Sequence, residues 1–299
     1  MCEAASGFRH LNGYADRPPV RPNISLGDSL AGLHAAFGVA LALLERLRPD
    51  GRGQVIDTSI TESMFNMLEA ATTEYAYSGA DREPSGSTIS GVVPTGTFRT
   101  ADGRWAVVGG NGESVYGRLM AAVGRPDLGP DAPSGRYSSN ALRCEPEVAA
   151  EIMDALAAWV AARPLAEVSG GWRREPTTEG LTPDDGGGGR RQVLEALRAA
   201  RVPAGPVRSP GELLADEQLW ARGMFDVGVS PPPLAGGRPG YAAEETFTLP
   251  AMAPVLSGTP GRTRWAGPRL GQHTEEILRG ELGLSPQELA RLRLDKVIA

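Results

Sequence analysis

The sequence is poor in lysine, histidine and cysteine, and each shortage excludes a class of chemistry. Lys296 is the only lysine among 299 residues, so no amine is placed for a Schiff-base cofactor or for a phosphate-binding GK(S/T) loop. The 3 histidines lie far apart, with no two at the spacing of metal ligands. Cys2 and Cys144 provide no disulfide framework. We therefore expect no metal site and two free thiols.

Positive charge and long hydrophobic runs are also lacking. The net charge of -6 and the pI near 5.3 argue against a nucleic-acid partner, which requires a basic surface. The uncharged run from Ser29 to Leu44 is shorter than the roughly 20 residues that span a bilayer. The amino terminus lacks the apolar core of a secretory signal. These features predict a cytoplasmic protein without a membrane partner.

The remaining composition, 41% hydrophobic residues, is sufficient for globular cores and predicts a mixed α/β fold. We expect a buried helix from about Ser29 to Leu47, a strand at QVIDTSI and an amphipathic helix from Thr61 to about Tyr77. The stretch PTGTFRTADGRWAVVGG predicts a hairpin with its turn at ADGR, followed by a helix in SVYGRLMAAVG.

The second half of the chain alternates helical patterns with turn-rich segments. Helices are predicted from Pro146 to about Arg163, with Ile152, Leu156, Trp159 and Val160 on one face, and from Val193 to Ala200. Between them, 169–192 carries four consecutive glycines, which predicts a disordered insertion. Two terminal helices follow, the first starting at His273 or Thr274 and the second with a capping box of Ser285 and Glu288.

Asp28, in LGDSLAG, has two interpretations from its own residue pattern. A helix N-cap would accept hydrogen bonds from backbone N–H groups one turn on, which contributes on the order of 1 kcal/mol. Alternatively, the helix end keeps the carboxylate ionised and Gly27 leaves its approach uncrowded, so that Asp28 can attack a thioester. Residue pattern alone leaves both interpretations open.

The run ISLGDSLAGLHAAFGVALALLERLRPDGRGQVIDTSITESMFNML resembles the family III coenzyme A transferases. The resemblance continues through PTGTFRTADGRWAVVGG and ALRAARVPAGPVRSPGELLADEQLWARGMF to GPRLGQHTEEIL. It implies an interlocked homodimer whose subunit has a Rossmann-like large domain and a small α+β domain. The family chain begins with a nucleotide-binding part that we do not recognise here, so we expect a partial fold. Its expected parts are a large-domain remnant at 1–80, a small domain at 81–145 and helical segments at 146–299.

The resemblance also implies the chemistry. The matching aspartate, Asp28, is the expected nucleophile, and an aspartyl-CoA thioester is the expected intermediate. Acyl-CoA and a small carboxylic acid are the implied substrates, with no bound cofactor. A glycine-rich loop closes over the site in the family, and the candidate here is SGVVPTG at 90–96. The expected substrate-binding residues are Arg9, Arg21, Gly27, Ser29, His34, Gly91 and Gly96.

The role of the arginines before the nucleophile stays open. Arg9, Arg17 and Arg21 either bind the distal carboxylate of a dicarboxylic acid or belong to a solvated basic loop. Two further functions also stay open. An α-methylacyl-CoA racemase uses the matching aspartate as an acid/base group. An inactive truncated remnant, which would be oligomeric or prone to aggregation when expressed alone, is the other alternative.

Overall fold

The computed structural model describes residues 1–165, 192–229, 246–268 and 270–298. The predicted insertion at 169–192 lies outside the described residues except for Gln192. By their contacts, the described residues divide into a first unit, 1–165 with 192–207, and a second unit, the remainder from 208 onward. The mixed α/β fold class is confirmed, whereas the division at 80 and 145 stays a prediction.

The first unit contains nine helices and three strands among the residues described. Its helices are α1 Cys2–Ala5, α2 Phe8–Leu11, α3 Leu26–Arg46, α4 Ile60–Phe65, α5 Ala71–Ser78, α6 Glu113–Val123, α7 Asn140–Arg143, α8 Pro146–Ala161 and α9 Val193–Ala199, and its strands are β1 Thr95–Arg99, β2 Trp105–Gly109 and β3 Ala204–Pro206. A short 3-10 turn occupies Pro126–Leu128.

The predicted hairpin forms the centre of this unit. Strands β1 and β2 pair antiparallel with Thr95 opposite Gly109 and Arg99 opposite Trp105, and β3 adds to the other edge of β2. Alternate residues of β1 and β2 are buried, as expected where one face of a sheet is covered. That face packs against α8 and α9, which places the core between sheet and helices.

The predictions for α6, α8 and α9 are confirmed. The buried residues of this core include Phe98, Ala106, Val108, Tyr116, Leu119, Met120, Ile152, Leu156, Trp159, Val160, Val193 and Leu197. Each such large apolar side chain contributes roughly 1.5–3 kcal/mol on burial. The sheet and its helices therefore form a well-packed support for the segments attached to them.

Helix α3 differs from its prediction in extent and in burial. It begins at Leu26, three residues earlier than expected, and Gly27 is its only buried residue. Leu33, Phe37 and Leu44 are each more than 60% exposed, so the expected core helix is wrong. By length and composition α3 could cross a membrane, but a single helix that passes this test does not establish a span. The apolar composition of α3 therefore did not predict whether the helix is buried within this chain.

Between α3 and α5 the structure again departs from the sequence pattern. No strand forms at 54–60, where Val55 is 93% exposed, because an isolated β-prone run has no stability without a pairing strand. The single helix expected at 61–77 is two helices, α4 and α5. Asn66 ends α4, and Glu69 adopts a positive φ of 51° before α5.

The second unit has two antiparallel strands and four short helices among the residues described. These are α10 Pro210–Leu214, α11 Glu217–Ala221, β4 Phe225–Val229, β5 Phe247–Pro250, α12 Thr274–Gly280 and α13 Pro286–Leu294. The capping box of Ser285 and Glu288 is confirmed. His273 occupies the N-cap position of α12, but its side chain contacts Glu276 at 3.0 Å and caps no backbone group.

Candidate active site

Asp28 lies in the first turn of α3, and Ser25 occupies the N-cap position. The interpretation of Asp28 as the cap is therefore wrong, because the helix starts one turn earlier. The carboxylate is exposed and has no hydrogen bond or ion pair within the described part of the chain. The first turn of a helix favours negative charge. Asp28 is thus an exposed carboxylate at a helix N-terminus, and its expected role as the nucleophile stays a prediction.

Gly27 allows the first turn of α3 to pack closely against α4. A Cβ built at Gly27 would lie 2.8 Å from Cγ2 of Ile60 and 3.4 Å from Cγ of Met64. Glycine therefore permits a close approach between α3 and α4 that no other residue would allow without movement. The structure gives Gly27 a packing contact that positions the turn carrying Asp28. Its expected role in substrate binding stays a prediction.

Ser29 and His34 share α3 with Asp28 but lie differently. The Ser29 hydroxyl donates to the backbone oxygen of Ser25 at 3.0 Å. His34 is half-buried and has no hydrogen bond within the described ranges, so the hydrogen-bonded core histidine is not found. It follows Asp28 by six positions, or about 9 Å along the helix axis. His34 is therefore not in contact with the Asp28 carboxylate.

The structure brings Arg9 and Arg21 together on a carboxylate that sequence reasoning missed. Arg9 Nε donates to Glu3 Oε2 at 3.1 Å, and Arg21 Nε lies 3.9 Å from Glu3 Oε1. Glu3 is only 8% exposed, which makes its pairing with charged partners necessary. Both arginines thus pair with Glu3, but not equally. Arg9 forms a hydrogen bond with it, whereas Arg21 lies at the longest distance that still counts as an ion pair.

Arg21 also borders a cavity that adjoins the start of α3. The cavity has a volume of about 390 Å³ and is lined by the consecutive residues 21–25. Since Ser25 is the N-cap of α3, this cavity lies between Arg21 and the start of the helix that carries Asp28. Arg17 instead stacks on the Tyr14 ring, with Cζ 4.8 Å from the ring centroid, and pairs with Asp16 at 3.6 Å.

The two glycines expected in the closing loop have different surroundings. Gly91 is exposed and adopts a left-handed φ of 78°, as a turn glycine does. Gly96 is buried in β1, where a Cβ would lie 3.1 Å from Cε of Met153. Gly96 therefore belongs to the rigid sheet, and the turn part of the 90–96 segment is confined to its first residues.

Arg143 in α7 is fully buried and contacts this segment. Its Nε donates to Val93 O at 3.2 Å, Nη1 donates to Tyr137 O and Glu113, and Nη2 donates to Asn111 O and Glu113. All five N–H donors of the guanidinium have acceptors. A buried cation is stable only when it is paired in this way. Arg143 therefore joins three separate segments of the first unit.

Asn140 contacts the same segment one turn earlier in α7. Its Nδ2 donates to Gly91 O at 2.8 Å, and its Oδ1 accepts from Val93 N at 3.3 Å. Glu113 accepts from the Asn140 backbone N–H at 3.0 Å. The hydrogen bond from Arg143 lowers the pKa of Glu113. Sequence reasoning missed Asn140 and Arg143, because their partners in the 90–96 segment lie 47 to 50 residues away, which leaves no local signal.

The predicted residues therefore fall into separate groups. Arg9 and Arg21 meet on Glu3, whereas Gly27, Ser29 and His34 share α3 with Asp28. No hydrogen bond or ion pair between described residues joins Asp28 to the arginines or to the 90–96 segment. Within the described ranges, no cluster of three histidine, cysteine or acidic side chains is arranged to hold a metal.

The chain matches the family model described as CoA-transferase family III over residues 1–175 and 187–274. Its relatives include the succinyl-CoA–D-citramalate CoA-transferase of Chloroflexus aurantiacus, 35% identical over 296 residues, or 99% of this chain and 63% of that protein. The succinyl-CoA–L-malate CoA-transferase beta subunit of the same organism is 30% identical, with 100% of this chain and 64% of that protein covered. The chain thus spans less than two thirds of these relatives' length.

Solved structures show the same fold. A CAIB/BAIF family protein from Brucella suis matches with a TM-score of 0.61 and 24% identity, over 94% of this chain and 62% of that one. A protein from Mycobacterium tuberculosis matches with a TM-score of 0.64 and 17% identity, over 93% of this chain and 62% of that one.

Proposed function

Since the chain belongs to CoA-transferase family III, we propose that it transfers coenzyme A from an acyl-CoA donor to a carboxylic acid, with Asp28 as nucleophile. The observation that carries this proposal is the state of Asp28, which is exposed and unpaired in the first turn of α3. A carboxylate engaged in a structural ion pair would lose that partner on attack. Asp28 has no such partner to lose among the described residues.

The reaction proceeds through two anhydrides and one thioester on Asp28. A carboxylate oxygen of Asp28 attacks the donor thioester carbon, the C–S bond breaks and CoA leaves as the thiolate. The thiolate attacks the aspartyl carbon, which releases the donor acid and leaves aspartyl-CoA. The acceptor carboxylate then attacks aspartyl-CoA, and the thiolate finally attacks the acceptor carbon of the new anhydride. Asp28 is regenerated, and no oxidant or reductant is consumed.

The start of α3 supplies the electrostatic component. Each addition places negative charge on a carbonyl oxygen next to Asp28, and free backbone N–H groups of the first helical turn can donate to that oxygen. Gly27 lies within this turn without a side chain that would cover it. The packing of Gly27 on Ile60 fixes these donors relative to the carboxylate.

For the acceptor we propose a dicarboxylate. The named relatives act with succinyl-CoA and with D-citramalate or L-malate, and a second carboxylate requires a cation near the nucleophile. Arg21 meets this requirement, because it borders the cavity that ends at Ser25 and its contact with Glu3 is long. A guanidinium binds a carboxylate through two parallel hydrogen bonds.

Water must be excluded, because each covalent intermediate on Asp28 can be hydrolysed. The 90–96 segment is the proposed cover, and its exposed part is the turn around Gly91. We further propose that the protein works in the cytoplasm as a homodimer. The exposed apolar side chains of α3 support the dimer, since a second subunit would remove them from water.

The test is capture of the thioester on Asp28. After incubation with succinyl-CoA, trypsin yields a peptide of residues 10–46, because Arg17 and Arg21 both precede proline. This peptide also contains Asp16, which is exposed and pairs with Arg17. Fragmentation is expected to place a CoA adduct on Asp28.

Two variants complete the design. The adduct should disappear in Asp28→Ala and persist in Asp16→Ala, which controls for nonspecific acylation of the same peptide. A folded wild-type protein without any adduct would refute the proposed transferase activity of this chain. Deuterium exchange at the α-carbon of an acyl-CoA, without CoA transfer, would favour the racemase instead.

A further inference from the structure

We propose that Asn140 is a positioning residue that holds the turn at Gly91 in the place from which it excludes water. The inference rests on the function proposed above, in which the 90–96 segment covers the intermediates on Asp28. Asn140 does not touch the substrate in this proposal. It acts through the backbone of the segment.

The two polar atoms of the Asn140 side chain bind two backbone groups of the turn. Nδ2 donates to Gly91 O at 2.8 Å, and Oδ1 accepts from Val93 N at 3.3 Å. The amide thus pairs with the turn as a neighbouring strand would, although it belongs to a helix. Because both bonds are to main-chain atoms, they set the backbone position of the turn rather than a side-chain rotamer.

The support beneath Asn140 is rigid. Arg143, three residues further in α7, is fully buried and donates to Val93 O, Tyr137 O and Asn111 O as well as to Glu113. Its guanidinium also lies over the Tyr116 ring, with Cζ 4.2 Å from the ring centroid. With these contacts α7 cannot move independently of the core. The two hydrogen bonds from Asn140 therefore hold the turn at a fixed position relative to the core.

Loss of this fixed position has a defined chemical result. If the turn opens, a water oxygen attacks the aspartyl thioester carbon, the C–S bond breaks, and CoA leaves with the proton. The Asp28 carboxylate is restored without a new acyl-CoA. A positioning role thus predicts that hydrolysis increases relative to transfer, which a general loss of stability would not produce.

The experiment compares Asn140→Ala with Leu142→Ala in the whole chain. Leu142 lies in the same helix and is 42% exposed, so the control changes α7 without removing a bond to the turn. Hydrogen exchange of the peptide containing 90–96 should be about tenfold faster in Asn140→Ala. It should be unchanged in Leu142→Ala. Exchange in β2 should be the same in all proteins, which shows that the core is intact.

The second measurement is the fate of succinyl-CoA in the presence of D-citramalate. The ratio of hydrolysis to transfer should rise several-fold in Asn140→Ala and stay at the wild-type value in Leu142→Ala. Asn140→Asp retains the acceptor for Val93 N but places a carboxylate against Gly91 O. Its exchange and its hydrolysis ratio should lie between those of the other two proteins.

Two results would overturn the inference. Unchanged exchange at 90–96 in Asn140→Ala would show that the side chain does not hold the turn. Faster exchange with an unchanged hydrolysis ratio would show that the turn does not exclude water. If the wild-type chain transfers no CoA, the proposed function fails instead, and the exchange comparison still decides whether Asn140 holds the turn.

Discussion

At the scale of single residues, two arginines that look alike in the sequence have different surroundings. Arg9 has an exposed side-chain fraction of 32% and a hydrogen bond to the buried Glu3, whereas Arg21 is 57% exposed and lies 3.9 Å from the same carboxylate. Removing Arg9 would leave a buried charge poorly compensated, while removing Arg21 would leave Glu3 its closer partner. Arg9 is therefore expected to serve stability and Arg21 to serve the acceptor.

Arg21→Ala is expected to raise the KM for a dicarboxylate acceptor such as D-citramalate about tenfold, because a charge-assisted pair is lost. The KM for a monocarboxylate of similar size should not change. Arg9→Ala should lower the free energy of unfolding by on the order of 1–3 kcal/mol with a smaller effect on KM. Steady-state kinetics and urea unfolding measure the two effects. Equal KM values for wild type and Arg21→Ala would contradict this assignment.

At the scale of secondary-structure elements, the contact between α3 and α4 determines where Asp28 lies. Gly27 and Gly32 are both glycines of α3, but a Cβ at Gly27 would lie 2.8 Å from Ile60, whereas nothing lies within 4 Å of a Cβ at Gly32. The two positions therefore form a matched pair for testing the packing of this helix. A side chain at position 27 would meet Ile60, whereas a side chain at position 32 would change only the helix propensity.

Gly27→Ala is expected to destabilise the protein by about 1–3 kcal/mol through overpacking and to reduce transfer by displacing Asp28. Gly32→Ala should instead stabilise the helix by up to about 1 kcal/mol. Urea unfolding of both variants measures the difference. A Gly27→Ala protein as stable as Gly32→Ala would show that the close approach of α3 and α4 is not present in solution.

The same scale shows what sequence patterns can predict. The β1–β2 hairpin, α6, α8 and the capping box of α13 were predictable, because their signals are local turns, caps and periodic apolar residues. The strand at 54–60 was not, because a strand requires a partner elsewhere in the chain. The burial of α3 and the partners of Asn140 also depend on distant residues. For the candidate site, Asp28 was predicted through resemblance and stays a prediction, while the contacts of Glu3, Asn140 and Arg143 were seen only in the structure.

At the scale of the whole molecule, the exposed apolar residues of α3 are the largest departure from a self-contained fold. Leu33, Phe37, Leu41 and Leu44 follow one another at helical spacing and are 65%, 64%, 49% and 62% exposed. They form one apolar stripe. A stripe of this kind is typical of a protein interface.

The chain is therefore expected to be oligomeric at micromolar concentration, as a homodimer requires. Phe37→Glu combined with Leu44→Glu should shift the protein toward the monomer, because two charges enter the interface. Ala121→Glu, an exposed position in α6, controls for added charge elsewhere. Light scattering coupled to size exclusion measures the mass. A wild-type monomer would contradict the proposed interface.

The anchoring of the turn at Gly91 limits how far it can travel. Gly86 N donates to Gly13 O at 2.7 Å at one end, and Asn140 holds Gly91 at the other. Only residues 87–90 lie between these attachments, and five Cα–Cα steps of about 3.8 Å give a contour of roughly 19 Å. With Gly86 and Gly91 both held, the middle of the 87–90 stretch can move by no more than about half of that length. Any movement of residues 87–90 toward bound acyl-CoA is thus a short excursion, for which neither attachment has to break.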